Sequence, residues 1–161
     1  MESYAFALSP TPIDLAIKAD YLKKLRFPGD IGSSGIDNNA KHLSTLNNSF
    51  SQLVNKFISL LQSKFKIIKL TNKLKDWHKL NSVDFFTELE KARKKVAKEN
   101  KLELKKLSLS EEAEWLQYFS EQKEKAEELK KEINKTDKEI DQIVYGLYGL
   151  SQEEIEIVEN F

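Results

Sequence analysis

Between Ser108 and Gly149 the chain carries one unbroken heptad pattern. Trp115, Phe119, Gln122, Ala126, Leu129, Ile133, Thr136, Ile140, Ile143 and Leu147 follow one another at alternating spacings of four and three. That alternation places all ten on one stripe of an α-helix, sustained over roughly 48 Å at 1.5 Å per residue. A long apolar stripe is not left in water, because burying each such side chain gains about 1.5–3 kcal/mol. The seam therefore demands a partner, from this chain or from a second copy. Gln122 and Thr136 are its polar positions; they weaken the seam and fix its register. Ser108 with Glu111 forms a capping box at the start. At the other end, Gly146 and Gly149 are expected to supply left-handed backbone. Ser151 with Glu154 opens a last helix, expected to bury Ile155 and Val158.

A second seam supplies the partner. Leu43, Leu46, Phe50, Leu53, Phe57 and Leu60 are spaced 3, 4, 3, 4 and 3, in a helix expected from about Asp37 to Ser63. Val54, Ile58 and Leu61 widen this stripe, so the helix meets more than one neighbour. Two heptad helices with a compact insert between them predict antiparallel packing. The first seam is shorter than the second, which leaves part of the long helix for another cover. The N-terminal helix, the insert or a second chain can provide it.

The insert is less regular. Phe65, Ile67, Ile68 and Leu70 suggest a turn or a brief extended piece. Thr71 is placed to cap a short helix burying Leu74 and Trp77. Ser82 is placed to cap another that buries Phe85, Phe86, Leu89 and Val96, and Asn100 to stop it. Leu102, Leu104 and Leu107 alternate, as extended chain or a tight turn does. Only five Gly and three Pro occur in 161 residues, 32% of which are charged. The expected fold class is all-α: long antiparallel heptad helices, with short helices in the insert.

Residues 1–35 read as an N-terminal arm joined to a helical module over 36–161. Thr11-Pro12-Ile13-Asp14 is a helix start, with Ile13, Leu15, Ala19, Leu22 and Leu25 as its apolar set. Pro28-Gly29 ends it, and Gly29 to Gly35 reads as a linker. The arm is either native or a foreign leader. Cysteine is absent, which fits a cytoplasmic setting and rules out disulfides. No apolar run is long enough to span a membrane. The N-terminus has no basic segment of the signal-peptide kind.

Charge is segregated. Residues 64–108 hold 14 Lys/Arg and six Asp/Glu, a net +8; residues 109–161 hold six and 15, a net −9. Such a basic block either binds a polyanion or pairs with the acidic block of its own molecule. Lys64, Lys66, Lys69, Lys73, Lys75, Lys79, Arg93 and Lys94 are the candidates for phosphate contact. Lysines so used act as point charges without a sequence code; the bland alternative is a solvated helix face. The interleaved aromatics read as core rather than as base-stacking platforms. His42 and His78 lack a ligand partner at i+3 or i+4, so no metal site is expected. Gly29–Gly35 lacks the preceding strand of a phosphate loop. No nucleophile, dinucleotide or nuclease constellation is present. The chain is expected to be no enzyme and to hold no cofactor.

Several segments resemble one family. Ser49–Leu80 (SFSQLVNKFISLLQSKFKIIKLTNKLKDWHKL) and Val83–Ala92 (VDFFTELEKA) look like the helix, basic turn and short helix that follow the specificity region of type IIG restriction–modification enzymes. Leu107–Glu159, ending IDQIVYGLYGLSQEEIEIVE, is similar to the long final helix and end cap of those proteins and of their N6-adenine methyltransferase relatives. The resemblance covers roughly Ile36 to Glu159. It implies a non-catalytic piece of such an enzyme, because the Asn-Pro-Pro-Tyr-type loop and the glycine-rich cofactor loop have no counterpart here. The partners it implies are DNA and the methyltransferase and target-recognition domains of a parent enzyme. The rival expectation, from the heptads alone, is an oligomerisation or protein-interaction module forming a homodimer.

Overall fold

The computed structural model describes residues 35–101 and 103–160. Helix α1 spans Ile36–Phe65, α2 Asn72–Lys75, α3 Ser82–Glu99, α4 Leu109–Tyr148 and α5 Gln152–Glu159, with a 3₁₀ turn at Trp77–Lys79. Among the described residues there is no strand, and the fold is all-α. None of these helices is long and apolar enough to cross a membrane. The helix expected from Thr11, the 29–34 part of the linker and Leu102 lie outside the described residues.

The two long helices are antiparallel. Reading up α1, His42 meets Glu132 (3.4 Å), Phe50 lies under Lys130 (5.6 Å), Phe57 meets Phe119 (ring centroids 6.2 Å) and Phe65 meets Trp115 (5.2 Å). The register follows from the two seams, with one correction. Leu60 is 41% exposed, and the neighbouring Leu61 is fully buried in its place. A straight helix drifts by about 20° per heptad from a strict 3.5 repeat. The insert packs on the Leu61 side of α1, which settles which residue turns inward.

The core sits at one end of the pair. Phe57, Leu61, Leu74, Trp77, Phe85, Leu89 and Phe119 are all sealed there. Phe57 stacks on Trp77 (4.0 Å), Phe85 stacks on Phe119 (4.3 Å), and the Trp77 indole N–H reaches the Val54 carbonyl at 3.4 Å. Aromatic pairs in these geometries add about 0.5–1.5 kcal/mol each beyond their buried area.

Caps set the helix ends. Thr71 Oγ1 accepts from the Leu74 N–H, and Ser108 and Ser151 head complete capping boxes with Glu111 and Glu154. Asn81, not Ser82, caps α3: its Oδ1 accepts from the Asp84 N–H at 2.8 Å, and Ser82 is the first helical residue. Asn100 ends α3, as expected. Trp77 lies in the 3₁₀ turn, one step beyond the helix Thr71 caps. Gly146 stays helical. Gly149 alone turns left-handed (φ 61°), and the Leu150 N–H bonds back to the Tyr145 carbonyl, as in a Schellman cap. Of the pair expected to be buried by the last helix, Ile155 is half-buried and Val158 is 54% exposed.

Candidate nucleic-acid interface

The lysine-rich stretch wraps the core end of the helix pair. Lys64 lies on the last turn of α1, Lys66 caps that helix, Lys69 lies in the turn, and Lys73 and Lys75 lie on α2. All five are exposed. Beneath them Ile67, Leu70 and Leu74 are buried, so a short basic segment is pinned to the aromatic core by every third or fourth residue. Ile68 is 88% exposed in the middle of it.

Lys66 takes a left-handed conformation (φ 52°), and its N–H bonds to the Gln62 carbonyl. For an L-residue this region costs roughly 1–2 kcal/mol. A lysine there in place of the usual glycine retains a charge at the tip of the turn.

The turn is held from α3. Thr71 donates its hydroxyl hydrogen to the buried Glu88 carboxylate (3.2 Å), which also pairs with Lys91 at 2.8 Å. The hydrogen bond from Lys91, aided by its charge and by Thr71, lowers the pKa of Glu88 against the opposing effect of burial. Glu88 thus stays ionised and ties the basic turn to the helix behind it.

The remaining candidates are unlike these five. Lys79 pairs with Asp76 at 2.8 Å, and that bond lowers the pKa of Asp76. The Arg93 side chain is only 10% exposed. It pairs with Glu90 (2.9 Å), donates to the Lys105 carbonyl and lies 5.3 Å over the Phe65 ring. Its guanidinium braces α3 against α1 and the loop before α4. Lys94 is exposed on α3. The ion pairs of the basic block are local: Lys79–Asp76, Lys91–Glu88, Arg93–Glu90 and Lys95–Glu99 all join residues three or four apart. Lys64 and Lys105 approach Glu111 closely enough to contribute to its lowered pKa, after the Ser108 backbone and hydroxyl bonds that are the main cause.

The aromatics between the lysines are structural. Trp77 is fully buried, and Phe65 packs on Trp115 and Arg93. His78 is buried edge-on to Phe50 (5.2 Å) and Trp77 (5.9 Å), and its Nδ1 has no hydrogen-bond partner. Desolvation first, and the nearby Lys130 next, lower its pKa. His42 is exposed, beside Glu132. No group of three His, Cys, Asp or Glu among the described residues is placed to hold a metal ion.

Sequence reasoning missed an apolar groove of about 690 Å³ between α3 and the start of α4. Phe86, Leu89 and Leu107 form part of its wall, with Val83 (76% exposed) and Leu109 (85%) at its edge. The signal was available: Val83 and Leu109 both fall in first turns, off the stripes that face the core.

A protein-family model described as "Domain of unknown function (DUF8810)" matches residues 30–144. Neither curated proteins nor solved structures give a match to the chain.

Proposed function

Starting from a chain that belongs to the DUF8810 family, we propose a non-catalytic helical scaffold whose lysine-capped end rests on the phosphate backbone of DNA. In its narrower form the reading places this scaffold in a type IIG restriction–modification or N6-adenine methyltransferase protein. There the long helices support the target-recognition domain against the methyltransferase. The observation that carries the DNA contact is the set Lys64, Lys66, Lys69, Lys73 and Lys75. They are exposed and take part in none of the local ion pairs, on a turn anchored to the aromatic core. An anchored array loses little side-chain and backbone freedom beyond the lysines themselves when it meets a polyanion. The narrower form rests on the sequence resemblance over Ile36–Glu159.

Such binding is sequence-independent, with a dissociation constant of about 10⁻⁴–10⁻⁶ M at physiological salt. Fluorescence anisotropy of a labelled duplex, titrated at several salt concentrations, tests it. The variant Lys66→Glu/Lys69→Glu/Lys73→Glu/Lys75→Glu is expected to abolish binding while circular dichroism stays helical. Unchanged affinity in that variant contradicts the reading.

A second reading is an oligomerisation module without a nucleic-acid role. The half-buried state of Leu129, Ile133, Ile140 and Ile143 favours it. A stable dimer by light scattering, together with no salt-dependent DNA binding, would select it.

A further inference from the structure

Among the described residues, the half of the helix pair remote from the core is short of cover. Helix α1 begins at Ile36, and its antiparallel register brings that start near residue 140 of α4. Helix α4 therefore runs on by about two turns with no length of α1 beside it. Along this half Ile133, Ile140, Ile143 and Val144 are only half-buried. A groove of about 480 Å³ opens beside Ile143, between Asn39 of α1 and Lys135, Lys138 and Gln142 of α4.

We propose that residues 13–26 of this same chain pack as a third helix on that half of the α1–α4 pair, over the groove beside Ile143. This goes beyond the DNA reading and does not depend on it.

Position and length point to this occupant. The described chain begins at Gly35, at the same end of the molecule as the groove. The nine residues 27–35 reach about 30 Å when extended, more than enough to turn back onto the pair. Fourteen helical residues cover about 21 Å, which matches the stretch of α4 from Ile133 to Leu147. Leu15, Ala19, Leu22 and Leu25 recur at helical spacing and make one apolar stripe. Residues 13–26 hold four Lys/Arg and two Asp/Glu, and the covered stretch 133–147 holds two Lys and three Asp/Glu. A tether this short gives an effective concentration on the order of millimolar, which favours the arm in cis over a second copy.

Hydrogen exchange of the full-length chain, read by mass spectrometry over a range of protein concentrations, tests the proposal. In Leu22→Asp/Leu25→Asp, peptides spanning 136–148 are expected to exchange at least about tenfold faster, the change that losing one buried leucine produces. Peptides spanning 109–126 are expected to keep their rates, and both sets to be independent of concentration. Three results overturn the proposal: identical exchange in wild type and the leucine variant, acceleration spread evenly along α4, or protection that rises with concentration. The last assigns the face to a second copy.

Discussion

The same helix pair is two different structures at its two ends. Toward Phe65 and Leu109, the insert adds a third side, and a dozen buried side chains interlock around Phe57, Trp77 and Phe119. Toward Ile36 and Tyr148, the buried residues among those described are Leu46, Thr136 and Tyr145, and the aliphatic seam is half-covered. Both ends carry the same heptad spacing. What separates them, among the described residues, is what lies across the seam: aromatic rings and a capped insert at one end, two helices side by side at the other. Heptad pattern sets helix pairing and direction, while the third side decides where rigidity resides. The lysine array sits on the rigid end, where a surface of fixed shape can be presented.

The largest expected contrast comes from truncating the seam at each end. Phe119→Ala removes a side chain with 1% exposure and is expected to cost about 3–5 kcal/mol. Ile140→Ala, at the half-covered end, is expected to cost about 1 kcal/mol, because less area and a smaller cavity are involved. Urea denaturation of both variants checks this; equal losses would erase the distinction.

Acid should weaken the rigid end first. Burial and Lys130 hold the pKa of His78 below its ordinary value of 6.5. The unfolded chain then binds the proton more readily than the folded one, so stability falls as pH drops below 6.5 toward the folded value. Above 6.5 this contribution is fully present. His78→Phe is expected to flatten that part of the pH profile, measured as the denaturation midpoint between pH 7.5 and 5.

Two identical capping boxes offer a finer comparison. Ser108→Ala is expected to cost about 1 kcal/mol of global stability, the usual value of an N-cap. Ser151→Ala should register less in global unfolding, because α5 carries no fully buried residue and can fray alone. One further effect has the opposite sign. Lys66→Gly relieves a left-handed lysine and is expected to raise stability by about 1 kcal/mol, while lowering the salt dependence of DNA binding by roughly one charge.

The features legible in the sequence were those set by local chemistry. Thr71, Ser108 and Ser151 could be read as caps, because a side-chain oxygen three residues before an amide is a local arrangement. Both seams could be read because burial repeats along one chain. The exceptions depended on competition or on distant neighbours. Asn81 and Ser82 are both competent caps in adjacent registers, and Asn81 takes the role because its Oδ1 reaches the Asp84 amide. Leu60 and Leu61 differ only in which flank of α1 the insert covers. Gly146 remains helical because Gly149 already closes the helix. At the candidate site Lys64, Lys66, Lys69, Lys73 and Lys75 are exposed, as both the phosphate-contact and the solvated-face expectations require. The internal use of Arg93 was not legible, since Phe65 and the Lys105 carbonyl reach it only through the fold.

The central claim, a rigid lysine-bearing end joined to a looser far end, is tested most directly by native-state hydrogen exchange along α4 of the full-length chain. The account predicts that amides around Phe119 and Ala126 open only with global unfolding, and that amides around Ile140 to Tyr148 exchange at least about tenfold faster through local opening. Equal protection along all 40 residues of α4 would contradict it.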